Sequence, residues 1–536
     1  MQCKLMGIKM AESSSPREHS PPAEVVLPDA PAADNEPSPA GPQLPEAAAP
    51  RPGIAMEDLF DDDDEELLAD EQAATSSAIP SSPPQTAPSS SAAEVSSSAQ
   101  QQQESYSDPN LMRQFYSRLF PFRSLFQWLN HSPKPGPDFY NREFALTLSN
   151  DAYLRYQSYA TADVLRKDIL HHNPSRFEIG PVYTTAPRDR KTLRKSTMFR
   201  PLSKEIVFDI DLTDYDDIRT CCEKANICNK CWAFATMAIK VVDVALREDF
   251  GFEHIIWIYS GRRGVHAWVS DKEARELDDD KRKAITGYFE VLKGGVQGGK
   301  RVNLRRPLHP HIVRSLEILK PYFAQVLVDQ EPFMSKAGQD RLLQLLPDKA
   351  LNEALAKKWA SSPDRPSHKK WADIDSVAET GVSKSLDKRA LLQAKQDIVL
   401  EYTYPRLDVE VGKKRIHLLK SPFVVHPGTG RVCVPITAGG DMSRADSFDP
   451  LSVPKVNELL REVDQYGGAG AQDGGDQPAN GDAVTVRKIN DWEKTSLKPY
   501  VELFDSHVRT LLKSEMVRVK RERDEDGVTG TDGMEF

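Results

Sequence analysis

No apolar run in the 536 residues approaches the length of a membrane span, and the N-terminus lacks the basic start, apolar core and small-residue cleavage site of a secretory leader. Neither a membrane-spanning nor a secreted protein is therefore expected; a soluble, intracellular one is. Cysteine is scarce. Of the 6 present, four fall between Cys221 and Cys231, which in a reducing compartment points to a metal rather than to disulfides. No internal repeat is visible. Aromatic residues are almost missing from residues 1–105, which are rich in Ser, Pro, Ala and Gln. Such a segment cannot bury enough apolar surface to offset the entropy of ordering it, so it is expected to be disordered. A mean hydropathy of -0.53 and 39 prolines agree.

The formal charge of -10 divides unevenly. Residues 1–105 hold 4 Lys+Arg and 19 Asp+Glu, or -15; the remaining 431 hold 66 and 61, or +5. An acidic tail on a mildly basic body fits a nucleic-acid or nucleotide partner, although a charge of this size is also ordinary for a soluble enzyme. Between Glu57 and Glu71, ten acids surround Leu59, Phe60, Leu67 and Leu68. That tract is either a segment that becomes helical on a basic partner groove or a solvating acidic stretch.

Order is expected from Pro109. The aromatic run Leu111–Leu129 predicts one or two core-packing helices broken at Pro121. Strands are predicted at Arg142–Leu148 and Ala152–Tyr159, around the turn Ser149-Asn150-Asp151, and again at His254–Tyr259 and Val265–Ser270. A helix is predicted over Trp232–Arg247, several more from about 311 to 400 with a break at Ser361–Ser367, strands at Arg406–Val411 and Arg431–Ile436, a Gly-rich linker at Tyr466–Gly481, and an amphipathic helix near Tyr500–Val519.

The chemistry starts at Glu205–Asp214. Period-two alternation makes it a strand in which Asp209 and Asp211 leave one face while Phe208, Ile210 and Leu212 leave the other. Two carboxylates on one face repel unless something positive lies between them, and hard oxygen ligands suit Mg²⁺ or Mn²⁺. The other reading is an edge strand with acids on a solvated face. A third acid, Asp408, alternates with apolar neighbours in Leu407–Val411, and three carboxylates are what two-metal phosphoryl transfer requires. The loop Ser260-Gly261-Arg262-Arg263-Gly264, with His266 just beyond it, offers glycines for close backbone approach and charge-assisted donors for a triphosphate; a solvated hairpin is the alternative. Lys420 and His426 are further donors near the third acid.

Taken together, Arg142-Glu143-Phe144, Arg155-Tyr156-Gln157-Ser158, Val207–Asp211 with Thr213–Asp217, Tyr259–Trp268, Pro405–Asp408 and His417–Phe423 resemble the catalytic small subunit of eukaryotic DNA primase, in that family's order and over about Leu111–Ile436. The resemblance implies a mixed α/β archaeo-eukaryotic primase core with a helical insertion, synthesising short RNA primers on single-stranded DNA from ribonucleoside triphosphates. It implies Asp209, Asp211 and Asp408 as the catalytic, metal-binding acids, with Mg²⁺ or Mn²⁺ as cofactor. Ser260, Arg262, Arg263, His266, Lys420 and His426 match nucleotide-contacting positions, with Arg406 beside the third acid; Glu143 and Arg155 match positions tied to activity. Cys221, Cys222, Cys228 and Cys231 resemble the family's structural Zn²⁺ site, although the adjacent pair departs from the usual knuckle spacing.

The implied partners are a large primase subunit and the DNA polymerase alpha complex, in the nucleus. No cysteine set for an iron–sulfur cluster is present. The expected division is a tail over 1–105, a core over 106–310 and 401–460, a helical insertion over 311–400, a linker over 461–490 and a C-terminal helix and tail over 491–536. A primase-polymerase for repriming and a non-catalytic scaffold are the alternatives; loss of any of the three acids would favour the scaffold, and all three are present.

Overall fold

Asp108 accepts the amides of Asn110 and Leu111 through its side chain, so the chain enters its first helix, α1 (Pro109–Arg118), with two of the orphan N–H groups capped. Proline 121 ends this turn and α2 (Phe122–Asn130) follows, so the aromatic run is two helices, with Phe115, Leu119, Leu125 and Trp128 buried. The computed structural model describes residues 106, 108–292, 300–469 and 489–529, all within one compact unit, Ser90–Phe536. The tail 1–105 with its acidic tract, the stretch 470–488 and the end 530–536 lie outside the described residues.

A short helix, α3 (Pro137–Tyr140), leads into the hairpin β1 (Arg142–Thr147) and β2 (Tyr153–Gln157), then α4 (Ala162–His172), β3 (Arg176–Tyr183), β4 (Pro201–Ser203) and β5 (Ile206–Asp211). Next come α5 (Asn229–Glu248), the hairpin β6 (Ile255–Tyr259) and β7 (Gly264–Val269), α6 (Lys272–Arg275) and α7 (Asp279–Tyr288). Five helices fill the 310–403 stretch: α8 (Pro310–Asp329), α9 (Lys336–Leu345), α10 (Lys349–Ala360), α11 (Ser367–Glu379) and α12 (Lys388–Thr403), with the expected break between α10 and α11. The chain ends through α13 (Val409–Lys413), β8 (Leu419–Lys420), β9 (Pro435–Ala438), α14 (Met442–Ser447), α15 (Val456–Ala469) and α16 (Lys498–Thr529).

The strands form two antiparallel sheets. One runs β2-β1-β3-β4 with β8 also on β3; the other runs β5-β7-β6-β9. Trp128 of α2 meets Trp268 of β7 at 5.2 Å and Phe504 of α16 at 5.5 Å, both edge to face, so the C-terminal helix packs into the core of the second sheet. Between the sheets, Arg142 at the start of β1 grips Glu205 just before β5 through Nη1 at 2.7 Å and Nη2 at 2.9 Å, both side chains buried. Burial alone would raise the Glu205 carboxyl, but the Arg142 guanidinium holds it well below the usual range.

Three sequence expectations fail locally. Arg406–Val411 is not a strand: Asp408 makes a single bridge to Asp209, its side chain then accepts the Glu410 amide, and the chain turns into α13. Gly412 permits this, because a Cβ there would stand 2.8 Å from the Val207 carbonyl oxygen. Arg431–Ile436 is strand only from Pro435; Arg431 and Val432 form isolated bridges with Lys455 and Val425, and Cys433 lies buried between bridge and strand. The stretch 461–469, expected as linker with its Gly-rich part from Tyr466, is helix instead, since α15 runs on to Ala469 with Val456, Leu459, Leu460 and Val463 buried.

Candidate active site and cysteine cluster

On β5 the face shared by Val207, Asp209 and Asp211 passes from buried to half-buried at the two acids, so the carboxylates emerge at one end of the strand. The backbone amide of Asp408 donates to the carbonyl of Asp209 at 3.0 Å, which seats the third acid directly on that strand. Asp211 accepts the Thr213 amide and hydroxyl at 2.8 and 2.9 Å, capping the turn Leu212–Tyr215. Its two carboxylate oxygens also receive Nε of Arg263 at 2.9 and 2.8 Å.

The acids crowd each other. Desolvation, then Asp211 and Asp408, push the Asp209 carboxyl up to about 8, and desolvation with the same two neighbours pushes Asp214 up to about 6. Carboxylates so placed require a cation, which fits hard divalent ions.

Beside them in the same sheet, where Asp211 pairs with Gly264, the β6–β7 hairpin supplies the cationic wall. Ser260 Oγ accepts the Gly264 amide at 2.9 Å, and Gly261 takes a φ of 89° where an added Cβ would fall 2.6 Å from the His426 Cβ. Desolvation, then Lys420, Arg262, Arg176 and Arg263, hold His426 well below its usual pKa, so four cations converge on one buried neutral imidazole. His266, 3.6 Å from Asp209, is likewise pushed down to about 3 by desolvation and Lys420. His266 is expected from the sequence to be a charge-assisted donor and His426 a further donor; burial pushes both imidazoles toward the neutral form, and the positive charge comes from Lys420 and the arginines. A pocket of this kind is a receptor for an anion with several oxygens.

Arg406 stands apart from this wall. Its guanidinium pairs with Asp217 and the Asp214 carbonyl and lies over the Tyr215 ring at 5.1 Å. Asp217 also receives Arg301 at 3.2 Å and Arg341 at 3.3 Å, so Arg406 is part of a brace between the turn after β5 and the 310–403 helices. Glu143 and Arg155 meet each other: buried Glu143 accepts Arg155 Nε at 3.3 Å, the Tyr156 amide at 3.2 Å and the Tyr183 hydroxyl at 3.0 Å. Desolvation raises the Glu143 carboxyl despite these partners, and Tyr156 is held at a φ of 62° beside it.

The four clustered cysteines bring one sulfur each within 4.8 Å of one another. Cys228 Sγ is 3.5 Å from Cys221 Sγ and 3.9 Å from Cys231 Sγ. A tetrahedral zinc–thiolate site with bonds of about 2.3 Å needs sulfurs close to 3.8 Å apart, so the donor set fits. Desolvation opposes it, but the Cys231 amide and the neighbouring thiols bring Cys228 down to about 7, while desolvation pushes Cys221 up to about 11 and raises Cys222 too, so without a metal the cluster favours the thiolate at Cys228 over those two. Gln330, capping α8, accepts the Thr220 amide at 2.9 Å and donates to Cys221 Sγ at 3.4 Å, tying the cluster to the helical stretch.

The profile of the DNA primase small subunit family matches residues 208–438, which contain all three acids and the cysteines. The chain is 53% identical over 429 residues to the DNA primase small subunit of Schizosaccharomyces pombe, covering 78% of this chain and 92% of that relative. It belongs to the DNA primase small subunit family. Similarity to the small subunits of Saccharomyces cerevisiae, 43% identical over 77% of this chain and 95% of the relative, and Drosophila melanogaster, 36% identical over 76% and 92%, extends across the same length. The chain is accordingly a DNA primase, an enzyme of primer synthesis in DNA replication. The primase site also holds residues that sequence reasoning passed over. Asp214 follows Asp211 by three positions on the turn, and Arg176 reaches the His426 pocket from β3; neither spacing distinguishes them from surface charges.

Proposed function

We propose that this chain condenses ribonucleoside triphosphates on a single-stranded DNA template by two-metal phosphoryl transfer. The observation that carries this reading is the juxtaposition of Asp209, Asp211 and Asp408 with the cationic pocket around His426. The acids would hold Mg²⁺ or Mn²⁺; such ions supply Lewis acidity to the attacking oxygen and offset charge on the leaving pyrophosphate. Lys420, Arg262 and Arg263 bind the triphosphate, with Ser260 fixing the hairpin and the neutral His266 and His426 acting as hydrogen-bonding groups. Asp211, now paired with Arg263, would be one of the residues holding an ion, and Arg263 released from it would be available to phosphate. Arg406 acts through the brace at Asp217 as a positioning residue, and Glu143 orients Arg155 at the edge of the site.

The cysteine cluster takes Zn²⁺ in a closed structural role. The large primase subunit and the DNA polymerase alpha complex are the proposed assembly partners, and the nucleus the place of action. Among the described residues no helix is long and apolar enough to cross a membrane. Incubating purified protein with poly(dT), ATP and Mg²⁺ or Mn²⁺ tests the reading: short RNA products support it. Extension with deoxynucleotides alone would replace it with a repriming polymerase.

A further inference from the structure

Between β3 and β4 the chain makes an excursion, Pro187–Arg200, that the acid site does not use. It carries six cations, Arg188, Arg190, Lys191, Arg194, Lys195 and Arg200, against one acid, Asp189, a net +5. Residues 106–536 as a whole also carry +5, so the other 417 of them sum to zero and the entire excess lies in these 14.

The excursion is held in shape. Two short 3₁₀ turns, Pro187–Thr192 and Ser196–Met198, build it. Its neck is closed by the Thr184 amide donating to the Arg200 carbonyl at 3.0 Å and by Phe199 stacked on Tyr183 at 4.0 Å. Among the described residues Lys191, Arg194, Lys195 and Arg200 form no ion pair, and all four are exposed. Arg190 lies over the Tyr156 ring at 3.9 Å, and Arg188 reaches Asp168 at 3.8 Å. Like charges kept together without acids are unfavourable unless an anion relieves them. A protein-binding patch has a charge-depleted apolar centre, whereas here exposed Met198 lies in the chain between Lys195 and Arg200.

Position identifies the anion. β3 connects the two sites: Glu178 pairs in register with Lys420, the cation beside Asp209, and Tyr183 ends the strand at the neck of the excursion. Five residues of strand span about 17 Å, close to five phosphates of a stacked strand at roughly 3.4 Å each. Resting on the primase reading, we propose that Pro187–Arg200 is a phosphodiester clamp that holds the template strand about five nucleotides from the acids. The clamp reads charge and not sequence, because it offers phosphate donors and no exposed stacking ring.

The test uses the full chain, its K191A/R194A/K195A variant and the charge-keeping K191R/R194K/K195R variant. Affinity for a 25-nucleotide oligo(dT), and for the same DNA annealed to an RNA primer, is measured between 50 and 200 mM salt. Each lost phosphate contact removes about 0.7 to 0.9 from the log–log salt slope, so the alanine variant should bind with a slope shallower by about two on at least one of these DNAs, while the charge-keeping variant matches the unaltered chain. A change confined to unpaired or to primed DNA assigns which form of the template the clamp grips. Unchanged slopes on both overturn the proposal, and loss instead of binding to the chain's own residues 1–105 supplied as a peptide would assign the excursion to that acidic segment. Thermal melting of both variants reports folding. Failure of the unaltered chain to make products on poly(dT) would sink the primase reading without touching this slope comparison.

Discussion

The Asp408 amide hydrogen-bonds the Asp209 carbonyl at 3.0 Å, so residues 199 positions apart in sequence share one backbone bridge at the acid site. This is why the third acid can face the first two without belonging to a strand. Asp408 then caps α13, and its carboxylate orientation is set by the Glu410 amide at 3.0 Å as well as by the bridge.

Asp209→Asn or Asp408→Asn should lower primer synthesis about a thousand-fold, the scale of losing several kcal/mol of charge stabilisation in the transition state. Because Asp209 sits among repelling acids, the melting temperature of either variant without divalent ions should be no lower than that of the unaltered chain. Calorimetry with and without Mg²⁺, beside a poly(dT) assay, checks both; near-normal synthesis would remove these acids from the mechanism.

Arg263→Lys keeps a charge but loses the planar guanidinium, whose Nε now donates to both oxygens of Asp211 and whose fork could pair bidentately with phosphate. The apparent KM for nucleotide should rise about tenfold or more, equivalent to about 1.4 kcal/mol. Steady-state kinetics at saturating template, with DNA affinity measured in parallel, decides it. A weaker hold on DNA with unchanged nucleotide KM would move Arg263 out of the nucleotide pocket.

Gly261→Ala meets two obstacles, a φ of 89° and a contact of 2.6 Å with His426 Cβ. The hairpin must shift away from His426, so nucleotide KM should again rise, here with a small fall in stability of about 1–2 kcal/mol for the strained backbone. Urea unfolding and nucleotide titration measure the two effects separately, and a variant with native kinetics would show that the close approach is dispensable.

Cys228→Ser removes one of four thiolates from a cluster whose sulfurs lie within 4.8 Å, and a structural site usually loses its metal with one ligand. One zinc per chain in the unaltered protein and none in the variant is the expected elemental analysis. Limited proteolysis should then cut first in the segment between Thr220 and Asn229. Active protein purified with no zinc would end this assignment.

Arg142→Met takes the guanidinium from the buried Glu205 carboxylate, which Arg142, with His131 Nε2 3.4 Å from that carboxylate, holds well below its usual pKa. Breaking a buried pair from one side costs about 3–5 kcal/mol, whereas replacing both partners with apolar residues is close to neutral. Denaturant midpoints for Arg142→Met, Glu205→Leu and the double variant should show the double variant recovering most of the loss.

Much of the local structure is written in the chain. Period-two alternation placed β5 and put Asp209 and Asp211 on one face, Pro121 divided the aromatic run, and the Gly-rich turn joined β6 to β7. The crowding of four cysteines between Cys221 and Cys231 points to a metal, and the family resemblance names them as its ligands. These features are legible because they depend on neighbours within a few residues. What folding alone decided is long-range. The Leu407–Val411 alternation reads as a strand, yet one bridge to Asp209 and an aspartate cap turn it into a helix. His266 reads as a charge-assisted donor, yet burial beside Lys420 favours its neutral form, as burial beside Lys420 and the arginines does for His426. Arg406 reads as a phosphate ligand and is taken by Asp217. In each case desolvation or a partner far along the chain outweighs the local preference, and neither can be seen until the chain is folded.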